Sequence, residues 1–107
     1  MILKRTIICL AFALLLSAGS PAWAHMPLCL CMDNGDNSIT CQGGFSDGSS
    51  AAGVIMRIKS PDGRVLQEGR MDDSSEFTFM KPRADFLVVF DAGPEHQLRV
   101  PGSRIAQ

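Results

Sequence analysis

Turn-forming residues interrupt this chain at nearly regular intervals beyond residue 24, and this spacing constrains its fold more than any other feature. Segment 33–37 reads Asp-Asn-Gly-Asp-Asn, and segment 60–63 reads Ser-Pro-Asp-Gly. Both are strong turn signals, because Asn and Gly tolerate positive φ and Pro suits the second position of a turn. The runs between the turns are short and show no helical periodicity, which is typical of β-strands. An all-β fold is therefore predicted.

Seven short strands are predicted, at residues 28–32, 38–45, 53–59, 64–70, 76–80, 86–90 and 96–100. The last but one is almost entirely apolar and is the predicted central strand. Because the loops are too short for crossover helices, the pattern indicates a single small antiparallel β-sandwich, immunoglobulin-like or transthyretin-like. It occupies residues 25–107 and ends in a polar tail after Pro101 and Gly102. The predicted core consists of Ile39, Phe45, Val54, Met56, Ile58, Val65, Phe77, Phe79, Leu87, Val89 and Leu98.

The first 24 residues have the organisation of a secretory signal peptide. Lys4 and Arg5 form a basic start, residues 7–16 form an apolar run, and Ala22-Trp23-Ala24 is a small-residue cleavage signal. The apolar run is too short for a membrane span, which needs about 20 apolar residues. We therefore expect cleavage after Ala24, a periplasmic protein without a membrane span, and a free α-amine on His25.

Cleavage changes the composition that matters for function. The remaining 83 residues carry eight basic and eleven acidic side chains, a formal charge of −3 with neutral histidines, and they lack both Trp and Tyr. No basic stripe is available to neutralise phosphates, and no Trp or Tyr ring is available to stack on bases or sugars. We therefore expect no nucleic-acid partner.

Three cysteines follow the cleavage site: Cys29, Cys31 and Cys41. The first two are two residues apart on a predicted strand and so share one face. Either of them lies opposite Cys41, depending on the register of the first hairpin. In an oxidising compartment we expect one cross-strand disulfide and one spare thiol. The main alternative is a thiolate cluster for Cu(I) or Zn, helped by Met26 or Met32; a redox-active pair and an intermolecular bridge are the others.

Two histidines offer a second kind of metal site. His25 would be the first residue after cleavage, so its α-amine and a ring nitrogen could chelate one ion together. His96 follows Asp91-Ala92-Gly93-Pro94-Glu95 in the turn after the most apolar strand. Imidazole nitrogens with a carboxylate suit Cu(II), Ni(II) or Co(II). We predict a site formed by His25 and His96, with Asp91 or Glu95 as the third donor.

A resemblance to a known family rests on four segments in this order: Phe45-Ser46-Asp47-Gly48-Ser49-Ser50-Ala51-Ala52, Pro61-Asp62-Gly63-Arg64-Val65-Leu66, Ser75-Glu76-Phe77-Thr78-Phe79 and Asp91-Ala92-Gly93-Pro94-Glu95-His96. Together they resemble the exported β-sandwich module of periplasmic accessory proteins of nickel and cobalt uptake transporters, related to carboxypeptidase-regulatory-like domains. The resemblance implies a membrane metal transporter as partner, a divalent transition metal as the bound group, and His25, Asp91 and His96 as its site. The cysteines are additional to that pattern, which keeps copper beside nickel and cobalt among the candidate metals.

No catalytic set can be assembled from the chain. The serines of 46–50 and 72–75 fall in turn-forming segments, where Ser and Asp bond the local backbone, and no nucleophile turn accompanies them. We therefore expect a non-enzymatic metal-binding accessory or carrier protein. The alternative function is a structural or protein-interaction sandwich, stapled by a disulfide, that adds a partner strand at an exposed edge.

Overall fold

The computed structural model describes residues 26–107, which form seven β-strands and a short 3₁₀ helix. The predicted signal peptide and His25 lie outside the described residues. Within residues 26–107, no helix has the length and apolar character that crossing a bilayer requires. The strands are β1 (Pro27–Asp33), β2 (Ser38–Phe45), β3 (Ile55–Lys59), β4 (Val65–Arg70), β5 (Glu76–Met80), β6 (Leu87–Asp91) and β7 (Gln97–Pro101).

The strands form two antiparallel sheets, in the order β1-β2-β5 and β4-β3-β6-β7. This arrangement confirms the predicted antiparallel β-sandwich. The chain crosses between the sheets after β2, after β4 and after β5. In an immunoglobulin constant-type sandwich the fourth strand lies next to the fifth, whereas here β4 pairs with β3. Strand β6 lies between β3 and β7, as its apolar sequence predicts.

The strand bounds follow the turn signals closely. Strands β2 and β5 have the predicted bounds, and the others differ by one or two residues at one or both ends. The first turn places Gly35 at φ 81° and Asn37 at φ 70°, a left-handed conformation that Gly and Asn adopt most readily. The Asp33 carboxylate accepts a hydrogen bond from the Gly35 N–H at 2.9 Å. Local turn chemistry therefore defines the hairpin that carries the cysteines.

The core lies between the two sheets and is formed by alternate residues of the facing strands. The prediction was wrong for Val65, which is 45% exposed, because β4 is an edge strand of the larger sheet. Four of the predicted residues are buried in the core: Ile39, Met56, Ile58 and Phe79. Four more are partly buried and pack against it: Phe45, Val54, Phe77 and Leu98. The prediction was also wrong for Leu87, which is only partly buried and lies outside this core.

Strand β6 is buried on both faces, but only one face belongs to the core. Val88 and Phe90 lie in the core cluster, whereas Val89, a predicted core residue, is buried outside that cluster. Its cross-strand partners are Arg57 on β3 and Arg99 on β7. Arginine stems are aliphatic and can cover an apolar neighbour while the guanidinium stays in water. The continuous apolar run of β6 therefore reflects two different kinds of burial.

The residues after β7 pack on the sandwich, where the sequence predicts only a polar tail. Gly102–Arg104 form the 3₁₀ helix, and Ile105 then packs against the core. Ala106 pairs in parallel with Met32, and its carbonyl accepts a hydrogen bond from the Asp33 N–H at 2.9 Å. The end of the chain therefore attaches to the end of β1, on the side away from β2.

Candidate functional site

The first hairpin brings two cysteines directly opposite each other. Cys31 on β1 pairs with Cys41 on β2, with their Cα atoms 3.9 Å apart, and their sulfurs form a disulfide. Cys29 is the free cysteine of the described residues. The prediction of one cross-strand disulfide and one spare thiol is thus confirmed. Of the two registers considered for the hairpin, the structure adopts the one that joins Cys31 to Cys41.

The spare thiol lies beside the disulfide. Cys29 shares the core-facing side of β1 with Cys31, and their Sγ atoms are 4.0 Å apart. The Sγ atoms of Cys29, Cys31 and Cys41 all lie within 4.8 Å of one another. Burial raises the pKa of the Cys29 thiol from 9.0 to about 11. The neutral thiol is a poor nucleophile, so Cys29 does not attack its neighbour readily at neutral pH.

The side chain of one methionine, Met71, packs against β2 at the level of Cys29. The residue opposite Cys29 is Gly43, and a Cβ at that position would lie 2.5 Å from the Met71 Sδ and 2.8 Å from a Phe90 ring carbon. Only glycine leaves room for the Met71 thioether to pack against β2 here. The backbone of Met71 is held by hydrogen bonds with Val54 and Gly53, both 2.9 Å long.

The methionines that the sequence predicts as soft ligands are placed elsewhere. Met26 and Met32 are exposed, and residues 26, 28, 30 and 32 alternate with the cysteines along β1, so they point to the opposite face. They cannot join the cluster. Met71, which is only 3% exposed, was missed because it follows β4 and belongs to no periodic pattern.

The carboxylate of Asp91 is fully engaged by protein partners. Its Oδ2 accepts a hydrogen bond from Arg57 Nη1 at 2.6 Å, and its Oδ1 accepts from the Gly93 N–H at 3.0 Å and from Gln97 Nε2 at 3.1 Å. The bond from Arg57, with the others, holds the pKa of Asp91 below its usual range. The ionised carboxylate therefore anchors the turn between β6 and β7 to β3.

His96 closes that same turn. Its backbone N–H donates to the Gly93 carbonyl at 2.9 Å, and its carbonyl accepts from the Ala92 N–H at 3.0 Å. The half-buried side chain lines a shallow hollow together with Phe45, Ser49 and Ala92. Glu95, the other proposed third donor, is exposed on the turn. Within residues 26–107, neither His96 nor Asp91 belongs to a cluster of three metal-binding side chains.

The start of the described chain is tied to the same end of the sandwich. The Met26 N–H donates to the Ser46 Oγ at 3.0 Å, and the Ser46 N–H donates to the Met26 carbonyl at 2.9 Å. Ser46 follows Phe45, whose ring lines the His96 hollow. These bonds therefore fix Met26 next to the segment that borders His96. Met26 directly follows His25, which lies outside the described residues.

No protein-family model matches the chain, and neither a curated protein nor a solved structure matches it.

Proposed function

We propose that the protein is an exported, non-enzymatic transition-metal-binding module that acts as an accessory or carrier in nickel, cobalt or copper uptake. The observation that carries this proposal is the pair of hydrogen bonds between Met26 and Ser46. They hold Met26, the residue after His25, against Ser46, and the preceding residue Phe45 lines a hollow together with His96. This arrangement supports a site to which His25 and His96 both contribute.

The chemistry of such a site follows from cleavage after Ala24. A new α-amine at His25 would supply a nitrogen next to the imidazole of the same residue, and His96 would supply a third nitrogen from across the hollow. A nitrogen-rich donor set of this kind suits Cu(II), Ni(II) and Co(II). Because protons compete with the metal for the nitrogens, binding weakens in acid.

Asp91 has a different role in this proposal from that of a ligand. Both of its oxygens already accept hydrogen bonds, one of them from Arg57, so binding a metal would break the contacts that shape the turn. We assign Asp91 the role of a positioning residue, which keeps the turn between β6 and β7 in the conformation that presents His96 to the hollow.

Native mass spectrometry and calorimetry of the tag-free processed protein test the proposal with Ni(II), Co(II) and Cu(II) in turn. We expect one ion per chain, and we expect His96→Ala to weaken binding by about tenfold or more. An extra glycine ahead of His25 separates the α-amine from the imidazole and should weaken binding as well. Asp91→Asn, which keeps an acceptor for the Gly93 N–H, should retain most of the affinity. The proposal would be refuted if none of the three metals bound, or if neither His96→Ala nor the extra glycine weakened binding.

An apolar row on the edge strand β1 favours a second candidate function, a protein-interaction module. Leu28, Leu30 and Met32 are exposed on one face of this strand, and Met26 just before it is exposed as well. Within the described residues, only Ala106 pairs with the outer edge of β1. An exposed edge with apolar side chains can accept a strand of a partner protein. A processed protein that binds none of the three metals, and that loses a captured partner on Leu30→Lys, would favour this function instead.

A further inference from the structure

We propose that reduction of the Cys31–Cys41 disulfide converts the sulfur cluster into a binding site for one soft metal ion, copper(I). Cys29, Cys31 and Cys41 supply three thiolate sulfurs, and the Met71 thioether packs against Gly43, the residue opposite Cys29. The site is separate from the histidine end of the sandwich and does not depend on the proposed function.

The spacing of the sulfurs suits a single ion. Metal–sulfur bonds of about 2.3 Å in a trigonal plane separate the sulfurs by about 4.0 Å. The Sγ atoms of Cys29 and Cys31 are already 4.0 Å apart, and all three sulfurs lie within 4.8 Å of one another. Once the disulfide is broken, Cys41 needs only to turn its sulfur away from Cys31 to complete the triangle.

The strand ladder keeps the cysteines together without the disulfide. Strand β1 pairs with β2 from Pro27 opposite Phe45 to Asp33 opposite Ile39, and β2 pairs with β5 on its other side. The positions of the cysteine backbones are therefore set by hydrogen bonds on both sides of β2, and reduction leaves these bonds in place. The reduced site is organised before the metal arrives, which favours binding.

The surroundings select the metal. The group of metal-binding side chains in this hairpin contains sulfur only, and soft sulfur ligands favour Cu(I) and Zn over harder divalent ions. Structural zinc sites are tetrahedral and take four ligands, whereas this cluster supplies three cysteine sulfurs, a number that suits trigonal Cu(I). Cys41 is 0% exposed and Cys31 is 6% exposed. Water is therefore excluded from most of the site, and half-buried Cys29 on the edge strand is its point of entry.

Reduction supplies the ligands by a balanced step. An external dithiol gives two electrons and two protons to the Cys31–Cys41 bond and becomes a disulfide itself, which leaves two thiols in the protein. Copper(I) then displaces protons from the thiols as copper–sulfur bonds form. Among residues 26–107 of the oxidised protein, Cys29 alone carries a thiol, so the disulfide prevents binding.

An anaerobic titration of the protein, reduced with a phosphine, tests this proposal. Cu(I) is added in competition with a chromogenic Cu(I) chelator, and X-ray absorption reports the donor atoms. We expect one Cu(I) per reduced chain, a sulfur-only shell, and no competition by the oxidised protein. Cys29→Ser and Cys29→Ala should each weaken binding by more than about tenfold, and Met71→Leu should weaken it by about tenfold.

Two control variants establish that Cu(I) binds at the sulfur cluster and at no second place on the protein. Met32→Leu changes an exposed methionine on the same hairpin and should leave Cu(I) binding unchanged. His96→Ala should do the same, so failure of the histidine site and failure of the sulfur site are read independently. Three results would overturn the proposal: Cu(I) affinity unaffected in both Cys29 variants, zinc bound more tightly than Cu(I), or a reduced protein that has lost its β-sheet circular dichroism.

Discussion

The disulfide makes a quantitative prediction about the stability of the first hairpin. Cys31 and Cys41 are separated by 10 residues in the sequence. A cross-link of this span removes loop-closure entropy from the unfolded chain that is worth about 2.7 kcal/mol. A processed chain of 83 residues has a total stability of roughly 4–12 kcal/mol. The bond therefore contributes a substantial share of the free energy of unfolding.

The cleanest perturbation breaks this bond without changing any side chain. In a Cys29→Ala background, where the free thiol can no longer exchange with the disulfide, the oxidised and the reduced protein differ only by the cross-link. Urea unfolding followed by far-ultraviolet circular dichroism measures both forms, since the processed chain has neither Trp nor Tyr for fluorescence. We expect the reduced form to be less stable by about 2.7 kcal/mol, about a hundredfold in the folding equilibrium.

A loss below about 1 kcal/mol would refute the reasoning, because it would mean that the cross-link hardly restricts the unfolded chain. The turn at 34–37 could cause this by keeping the hairpin closed in the unfolded state. A loss above about 5 kcal/mol would also contradict the loop-closure reasoning. Such a loss would show that reduction also disrupts the native packing of the two buried sulfurs.

Three further predictions concern single residues. Gly43→Ala should destabilise the fold by about 1–3 kcal/mol, because the new Cβ meets two buried side chains. Gly44→Ala is the matched control in the same denaturation assay, because its new Cβ would lie an ordinary 3.9 Å from the Ser49 carbonyl oxygen. The lowered pKa of Asp91 means that its ionised form stabilises the fold above the ordinary value of 3.8, and that this contribution disappears as the pH falls through the folded value. Asp91→Asn should therefore lower the melting temperature at neutral pH, where Arg57 loses an ionised partner, and the difference from wild type should vanish in strong acid. Ultraviolet absorbance of the thiolate should show that Cys29 in the oxidised protein titrates with a pKa of about 11 and not 9.0. Because the folded state favours the neutral thiol, the free energy of unfolding should fall as the pH rises between these two values. An inflection near pH 9.0 would contradict the burial of this thiol.

The strand bounds were predictable because turn chemistry is local. Gly35 and Asn37 adopt left-handed backbone conformations that most residues avoid, so the turn that they form can be predicted from the residues alone. The same holds for the turn at 60–63, where Gly63 has a φ of 91°. A single small sandwich then follows, because seven short strands with no helices have few other ways to bury one face each.

Burial of particular residues was less predictable because it depends on where each strand lies in its sheet. Val65 has the pattern of a core residue but lies on an edge strand, where half of its surface stays exposed. Met71 follows the end of β4. Its backbone is hydrogen-bonded to Val54 and Gly53, which lie far from it in the sequence, and its side chain is buried. An alternating pattern indicates which face of a strand a residue lies on. It does not indicate whether that strand lies at an edge of its sheet, as for Val65, or whether a residue outside the strands is buried, as for Met71.

The cysteine pairing shows the same limit at the candidate site. Cys29 and Cys31 share a face, so the pattern of faces cannot decide which of them meets Cys41. The register decides it, and the register depends on how many residues the turn uses. For Asp91, the sequence indicates a carboxylate near His96, but the partner that occupies it, Arg57, lies 34 residues earlier on β3. Only the strand order brings these two together.

The two proposed sites differ in donor chemistry, and this difference makes them separable by redox state. In the oxidised protein the cluster offers a single protonated thiol, so only the nitrogen donors at the histidine end can bind, and they select divalent ions. Reduction adds a sulfur site that selects Cu(I) without changing the histidine end. Cys29 lies on β1, whereas His96 lies in the turn after β6. The losses of metal-binding free energy caused by changing Cys29 and by changing His96 should therefore add in the double variant. A departure from additivity would mean that one metal ion uses donors from both sites.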